Sequence, residues 1–346
     1  MSDIGAAGPD QGKGGKYLVL PPGFDGDVPD GYFVVESKTY GVWNFVRALF
    51  TGDDPSSGVK NLEDNLRIYP LSQAGNPPST EFIDVSTIAY NTLPPNDLEF
   101  YEQLHELIQQ EPIESLDPER RGQAAAIGIV KGQPFTPDDR MKKILTEAAS
   151  IANATARAIV WQPREAAARY YPETNSAWVM AYAGKDVFFE KDGARNLDAR
   201  TMFHYAYTVI TPAMATPHVG KGSDYAIAYL DANKQAMDGA RTYKLTIPAN
   251  PPAADFWAVT LYDCQTRSML QTDQEFPTVG SQSDGFKQNA DGSFDVFFAP
   301  EAPKGKENNW LQTIPGKSWF TILRLYSPLE PWMDKTWRPG EIEPQA

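Results

Sequence analysis

Cysteine is almost absent from this 346-residue chain, which has one, Cys264. A lone thiol closes no intrachain disulfide, so a disulfide-stapled secreted scaffold is excluded, although an oxidising compartment is not. Histidine is nearly as scarce. His105, His204 and His218 are the only three, and no HxH, HExxH or CxxC spacing links them. A dedicated metal site is therefore not expected, and no Asp-rich calcium loop occurs either. No apolar run approaches the roughly 18 residues that cross a bilayer, so membrane insertion is not expected. The first twenty residues lack a basic stretch leading into an apolar one, and no signal peptide is visible. Positive charge is in deficit, with 31 Lys and Arg against 45 Asp and Glu and a net charge of −14. Binding phosphates needs a basic face whose counterions are released, and nothing here supplies one. Nucleic acid and an anionic membrane surface are both disfavoured as partners.

Aromatic residues are plentiful at 12%, and 41% of the chain is hydrophobic, enough for a sizeable β-rich core. The 29 Pro and 26 Gly divide that material into short elements. Residues 17–20, 32–35, 66–71 and 82–85 read as strands, each bounded by Pro, Gly or Ser. Residues 40–50 read as an amphipathic helix, because Val42, Phe45, Val46 and Leu49 fall on one face. The middle of the chain reads as helical. Leu98, Tyr101, Leu104, His105 and Ile108 repeat at helical spacing after Asp97. A longer helix carries Met141, Ile144, Leu145, Ala148, Ile151 and Ile159 on one stripe and ends before Pro163. Its start is read at Thr136, with Pro137 in the first turn and Asp138 and Asp139 at the positive end. Beyond it, 177–183, 225–230, 242–247, 256–262, 294–298 and 319–326 read as strands separated by turns such as Asp238-Gly239. The expected fold is mainly β with a helical middle, α+β overall. It comprises an N-terminal β domain at 1–93, a helical connector at 94–165 and an antiparallel β-sandwich or jelly roll at 166–346.

Gly12-Lys13-Gly14-Gly15-Lys16 resembles a phosphate loop only at a glance. Gly14 stands where Ser or Thr would hold magnesium, and a strand follows in place of a helix, so no cofactor is expected. His105 lies on an apolar stripe and reads as packing. Cys264 follows Asp263, whose charge raises a thiol pKa rather than lowering it. Two clusters are more informative. His204 lies in Phe203-His204-Tyr205-Ala206-Tyr207, after Arg195, Asp198 and Arg200, which open a short helix. It is the best general acid–base group in the chain, and Tyr205 or Tyr207 can donate to a substrate oxygen. On the strand at 319–326, Phe320, Ile322, Arg324 and Tyr326 share one face. Trp319, Thr321, Leu323 and Leu325 share the other, and both faces read as buried. A desolvated Arg324 demands a carboxylate or an anionic ligand; Asp263 and Asp231, each at a strand end, are the candidate carboxylates.

These residues also carry a family resemblance. Residues 16–23 (KYLVLPPG), 28–35 (VPDGYFVV) and 39–43 (TYGVW) resemble the later part of the DUF1254 domain. Residues 231–239, Tyr243, Asp255-Phe256-Trp257, Leu261-Tyr262-Asp263, 289–292 (NADG), Asn308-Asn309-Trp310, 323–326 (LRLY) and 336–339 (TWRP) resemble DUF1214. The two occur together in bacterial, often exported, proteins of unknown function. The resemblance implies β domains connected by helices, the last sandwich-like, and supplies no catalytic residue set. DUF1254 ordinarily begins upstream with a helix and several strands, so its N-terminal part is expected to be missing here. An uncovered strand edge leads to the expectation of a homo-oligomer. Periplasmic or secreted localisation follows from the resemblance if the gene is longer, and cytoplasmic localisation otherwise. Three functional readings remain. A hydrolase acting on a small polar or anionic substrate would use His204, Tyr205 and Asp263 for catalysis and Arg324 for binding. A non-catalytic envelope protein would hold a carbohydrate-like or apolar small-molecule ligand along Trp257, Tyr262 and Trp310. In a purely structural protein the same aromatics are core.

Overall fold

The computed structural model describes residues 2–345 except 49, 51–53, 90, 92, 165, 181, 208 and 217. The chain divides into two compact units, Met1–Ser150 and Ile151–Ala346.

The first unit holds one small sheet, in which β1 (Tyr17–Leu20) and β2 (Phe33–Glu36) pair in parallel with Tyr17 beside Phe33. Ahead of it, Asp10 accepts hydrogen bonds from the Gly5 amide at 2.7 Å, the Gly14 amide at 3.1 Å and the Tyr17 hydroxyl. The Gly-rich lead-in thus wraps its own carboxylate, which would repel a phosphate. Among the described residues α1 (Ser56–Asn65), α2 (Leu98–Gln110) and α3 (Pro118–Ala126) follow, and α4 (Asp139–Trp161) runs across the boundary, its residues from Ile151 on belonging to the second unit. Asp97 caps α2 by accepting from the Glu99 amide at 3.0 Å. Helix α4 is capped by Asp138, not Thr136. The Asp138 carboxylate accepts from the Met141 amide at 2.7 Å and its carbonyl from the Lys142 amide at 2.9 Å, leaving Pro137 outside the helix. A carboxylate both caps and complements the helix dipole, so it prevails over a nearby hydroxyl. His105 stacks on Phe135 at 5.8 Å, in keeping with a packing role.

Neither the helix expected over 40–50 nor the strands expected at 66–71 and 82–85 form among the described residues; Leu49 and 51–53 lie outside them. Helical periodicity becomes a helix only when the apolar face is buried. Val42, Trp43 and Phe45 are 56%, 62% and 58% exposed, so that condition is not met.

The second unit begins with β3 (Trp178–Met180), the hairpin β4 (Glu190–Lys191) and β5 (Ala194–Arg195), then α5 (Leu197–Ala206) and α6 (Pro212–Ala215). Strands β6 (Ser223–Ala228), β7 (Met237–Asp238), β8 (Tyr243–Ile247), β9 (Ala253–Asp263), β10 (Thr278–Gly280), β11 (Phe294–Ala299), β12 (Trp310–Gln312) and β13 (Ser318–Pro328) follow. Helix α7 (Glu330–Met333) and β14 (Ile342–Pro344) complete it. The first sheet runs β10-β9-β13-β6-β3, with β7 beside the start of β13; the second runs β12-β11-β8-β14. Among the described residues of these two sheets, only the β11–β12 pair is parallel. The facing sides interlock: Leu245, Val296 and Phe298 from one sheet join Val259, Leu261, Leu323 and Leu325 from the other in one core. On its far side, the first sheet is covered by Val160 of α4 and by Met202 and Phe203 of α5, which pack against Ile227, Tyr229, Phe320 and Ile322. Burial on both faces explains why six of the eight residues Trp319–Tyr326 of β13 are apolar, without a polar alternation. The fold is mixed α+β and mainly β.

Candidate functional site

Arg324 sits in the middle of β13, paired with Tyr225 of β6 on one side and Ala258 of β9 on the other. Because side chains alternate across a sheet, all three belong to the helix-covered face. The guanidinium carbon lies 5.3 Å from the Tyr225 ring and 5.4 Å from the Tyr326 ring. Tyr326 in turn stacks on Phe256 at 3.9 Å, and Tyr207, just beyond α5, stacks on Tyr225 at 6.3 Å. The cation is half-buried in a tyrosine cage. Its Nε is fully buried with no acceptor in reach among the described residues, and the buried Tyr207 hydroxyl is likewise without a partner. No Asp or Glu forms an ion pair with Arg324 among the described residues. Burial acts to lower the Arg324 pKa, but Tyr262, Tyr326 and Tyr225 beside it outweigh that effect and raise it. Burial pushes the Tyr207 phenol well up, and it pushes Tyr262 up against the opposing pull of Arg324. The site therefore sets a permanent cation beside the Tyr207 and Tyr262 phenols, both held in their protonated form.

The two candidate carboxylates do not reach it. Asp263 pairs with Trp319, which places it on the opposite face of the sheet. There it accepts from Lys317 Nζ at 2.7 Å and from the Gln265 and Thr266 amides at 2.6 and 3.1 Å. Burial raises its pKa, but these partners outweigh burial and leave the carboxyl below its ordinary value. Asp231 accepts from the Asn233 and Gln235 amides at 2.8 and 2.9 Å, closing a local turn.

The residues considered for catalysis are not assembled into a relay. His204 is exposed on α5, its Nδ1 3.0 Å from the Arg200 carbonyl and its ring against Phe189 and Phe203. The Tyr205 hydroxyl accepts from Arg157 Nε at 3.1 Å and faces the Cys264 carbonyl at 3.4 Å, while the Arg267 guanidinium lies 4.6 Å over its ring. No hydrogen bond links His204, Tyr205 and Asp263 to one another. The Cys264 thiol is buried and pushed up to about 12 by that burial and by Asp263, which disfavours the thiolate near neutral pH.

Trp257, Tyr262 and Trp310 do not form a row. Trp257 is 4% exposed and faces the inter-sheet core against Phe286 and Phe294. Trp310 belongs to the second sheet and donates its Nε1 hydrogen to the Ala299 carbonyl at 2.9 Å. Tyr262 alone shares the face of Arg324, stacked on Phe320 at 5.2 Å. Tyr225 and Ala258 went unnoticed in the sequence because cross-strand register brings them to Arg324. The one available signal was the period-two series Ser223, Tyr225, Ile227, Tyr229. A separate cavity of about 190 Å³, lined by Ala183, Asp186, Phe189 and Asn196, shares no lining residue with the Arg324 cage. Among the described residues, no group of three or more His, Cys, Asp or Glu could hold a metal ion, and no helix is long and apolar enough to cross a membrane.

Fold and site define a mixed α+β protein whose second unit stacks two sheets over a caged arginine. Residues 222–330 match the family described as protein of unknown function DUF1214, and residues 4–70 match protein of unknown function DUF1254. Together the two matches cover just over half of the chain, which is a DUF1254/DUF1214 domain-containing protein. No curated protein matches it. Among solved structures, the VPA0106 protein from Vibrio parahaemolyticus is 17% identical, with a TM-score of 0.47 over 98% of this chain and 77% of that one. An uncharacterized protein from Burkholderia cenocepacia is 13% identical, with a TM-score of 0.29 over 72% of this chain and 50% of its own.

Proposed function

We propose that this protein binds a small organic anion on the tyrosine-rich face of its first sheet, with Arg324 as the cationic anchor. One observation carries the reading: a half-buried guanidinium whose Nε is fully buried and faces no acceptor, and which has no acidic partner among the described residues. Tyr225 and Tyr262 offer it hydroxyls but no negative charge, and desolvating a charge that lacks a counter-ion costs several kcal/mol, on the order of what an incoming anion returns. The unpartnered Tyr207 hydroxyl supplies a second donor in the same aromatic layer. A binding role is favoured over hydrolysis because His204, the best general acid–base candidate, is exposed and among the described residues hydrogen-bonds to the Arg200 carbonyl of its own helix, away from the anchor.

Thermal melting with acetate, succinate and phosphate, and with the neutral control acetamide, tests the reading. An anion at about 100 times its Kd stabilises the protein by about 2.7 kcal/mol. For a unit of this size that is roughly 5–10 °C in Tm. The shift should vanish in Arg324→Met. Equal shifts in both proteins, or none with any anion, would refute an anion site at Arg324.

A further inference from the structure

We infer that the anion held at Arg324 is a single-ring aromatic carboxylate, its ring resting on a bare patch of sheet over Ala258. The inference rests on the anion-binding reading and adds the chemistry of the ligand's body.

Ala258 is the register partner of Arg324, so its Cβ lies about 5 Å from that of the anchor. Along β9, the same face carries Phe256, Ala258 and Thr260. Strand rise puts Phe256 and Thr260 about 13 Å apart, with only the Ala258 methyl between them. Across the sheet, Ala258 pairs with Gly280 of β10, which adds no side chain. Nothing else fits there, because a Cβ at position 280 would sit 2.1 Å from the Trp257 carbonyl oxygen. From β13 to β10 the floor is therefore bare over two strand spacings, about 10 Å. Ala258 is only partly buried, so this floor is open to a ligand. A benzene ring is about 7 Å across with its hydrogens. It fills the patch when its carboxylate points at the guanidinium, and two or more linked rings overrun it.

The walls select the body. Phe256, stacked on Tyr326, offers a ring surface at one end of the floor, and the buried Thr260 closes the other. Rings prefer offset or edge-on contact with rings, beyond the gain from area alone. A saturated ring of equal charge and similar area lacks that contribution, which is worth roughly three- to tenfold in affinity.

Calorimetric titration of the full chain with benzoate, cyclohexanecarboxylate, acetate and benzamide tests this. Benzoate should bind at least threefold tighter than cyclohexanecarboxylate, and the neutral benzamide should not bind measurably. Ala258→Leu, which fills the floor, should collapse the preference of benzoate over acetate. Phe256→Leu, at a half-exposed position where folding is not at stake, should erase the preference of benzoate over cyclohexanecarboxylate. Equal binding of the two ring acids to the wild-type protein, or an unchanged preference in Phe256→Leu, overturns the aromatic inference while leaving the anion site standing. Benzamide binding as well as benzoate, or no carboxylate binding at all, overturns the anion reading beneath it.

Discussion

Arg324→Met should leave the ligand-free protein as stable as the wild type or make it more stable, an unusual result for an arginine in the middle of a covered strand. Two contributions oppose each other. The variant loses cation–π contacts with Tyr225 and Tyr326 at 5.3 and 5.4 Å, each worth about 0.5–1 kcal/mol. It also removes a fully buried Nε donor with no acceptor, which costs about 1–3 kcal/mol to keep, and relieves the partial desolvation of the charge. Methionine preserves most of the apolar stem, so packing changes little. Before the desolvation relief is added, these figures run from about 1 kcal/mol against the variant to about 2 kcal/mol in its favour; the relief moves the balance to the variant's side, up to roughly 8 °C in Tm. Urea unfolding of both proteins, followed by tryptophan fluorescence in anion-free buffer, measures it. A loss above about 3 kcal/mol is the signature of a broken buried ion pair and would show that a carboxylate meets Arg324 after all. A stability gain together with loss of anion-induced stabilisation would mark the arginine as retained for binding rather than for folding.

Asp138→Ala should cost about 1 kcal/mol by uncapping α4, while Thr136→Ala costs little; helicity and thermal melts of the two variants separate them. Asp263 has a folded pKa below its unfolded value of about 3.9, so its contribution is present above that pH and is lost as pH falls through the folded pKa. Urea midpoints from pH 7 to 3 should therefore fall more steeply for the wild type than for Asp263→Asn. The difference near neutrality should be about 1–2 kcal/mol, since Lys317 is half exposed and screened. The Cys264 thiol, raised to about 12, should stay unmodified by iodoacetamide at pH 8 until the protein is unfolded; rapid labelling of the native protein would contradict its burial.

The strands of the second unit were legible because their burial is strong. Residues 243–247, 256–262, 294–298 and 319–326 are strand where the apolar runs placed them. The same apolar signals misled in the first unit, where Trp43 and Phe45 pack on each other but stay mostly exposed and the backbone around them takes no regular form. The face of Arg324 was also legible, since alternation along β13 is a local property. Its surroundings were not, because register is set between strands distant in sequence. That register gave Arg324 a tyrosine and an alanine and sent Asp263 to the far side of the sheet. His204 was correctly read as helical, but which side of α5 faces solvent depends on Met202 and Phe203 finding the sheet.

Neighbouring residues of β13 answer to different constraints. Trp319, Thr321, Leu323 and Leu325 meet the other sheet, whereas Phe320, Ile322, Arg324 and Tyr326 meet the aromatic layer. The backbone between them is held by strands on both sides, so changes on opposite faces that share no partner and lie more than about 7–10 Å apart should be nearly additive in stability. The odd positions can be held fixed by packing while the even positions vary. If the Arg324 face holds an anion as proposed, substitutions at the even positions can change ligand preference while the odd positions keep the fold. A strand that is one element in the topology is two in its evolutionary freedom.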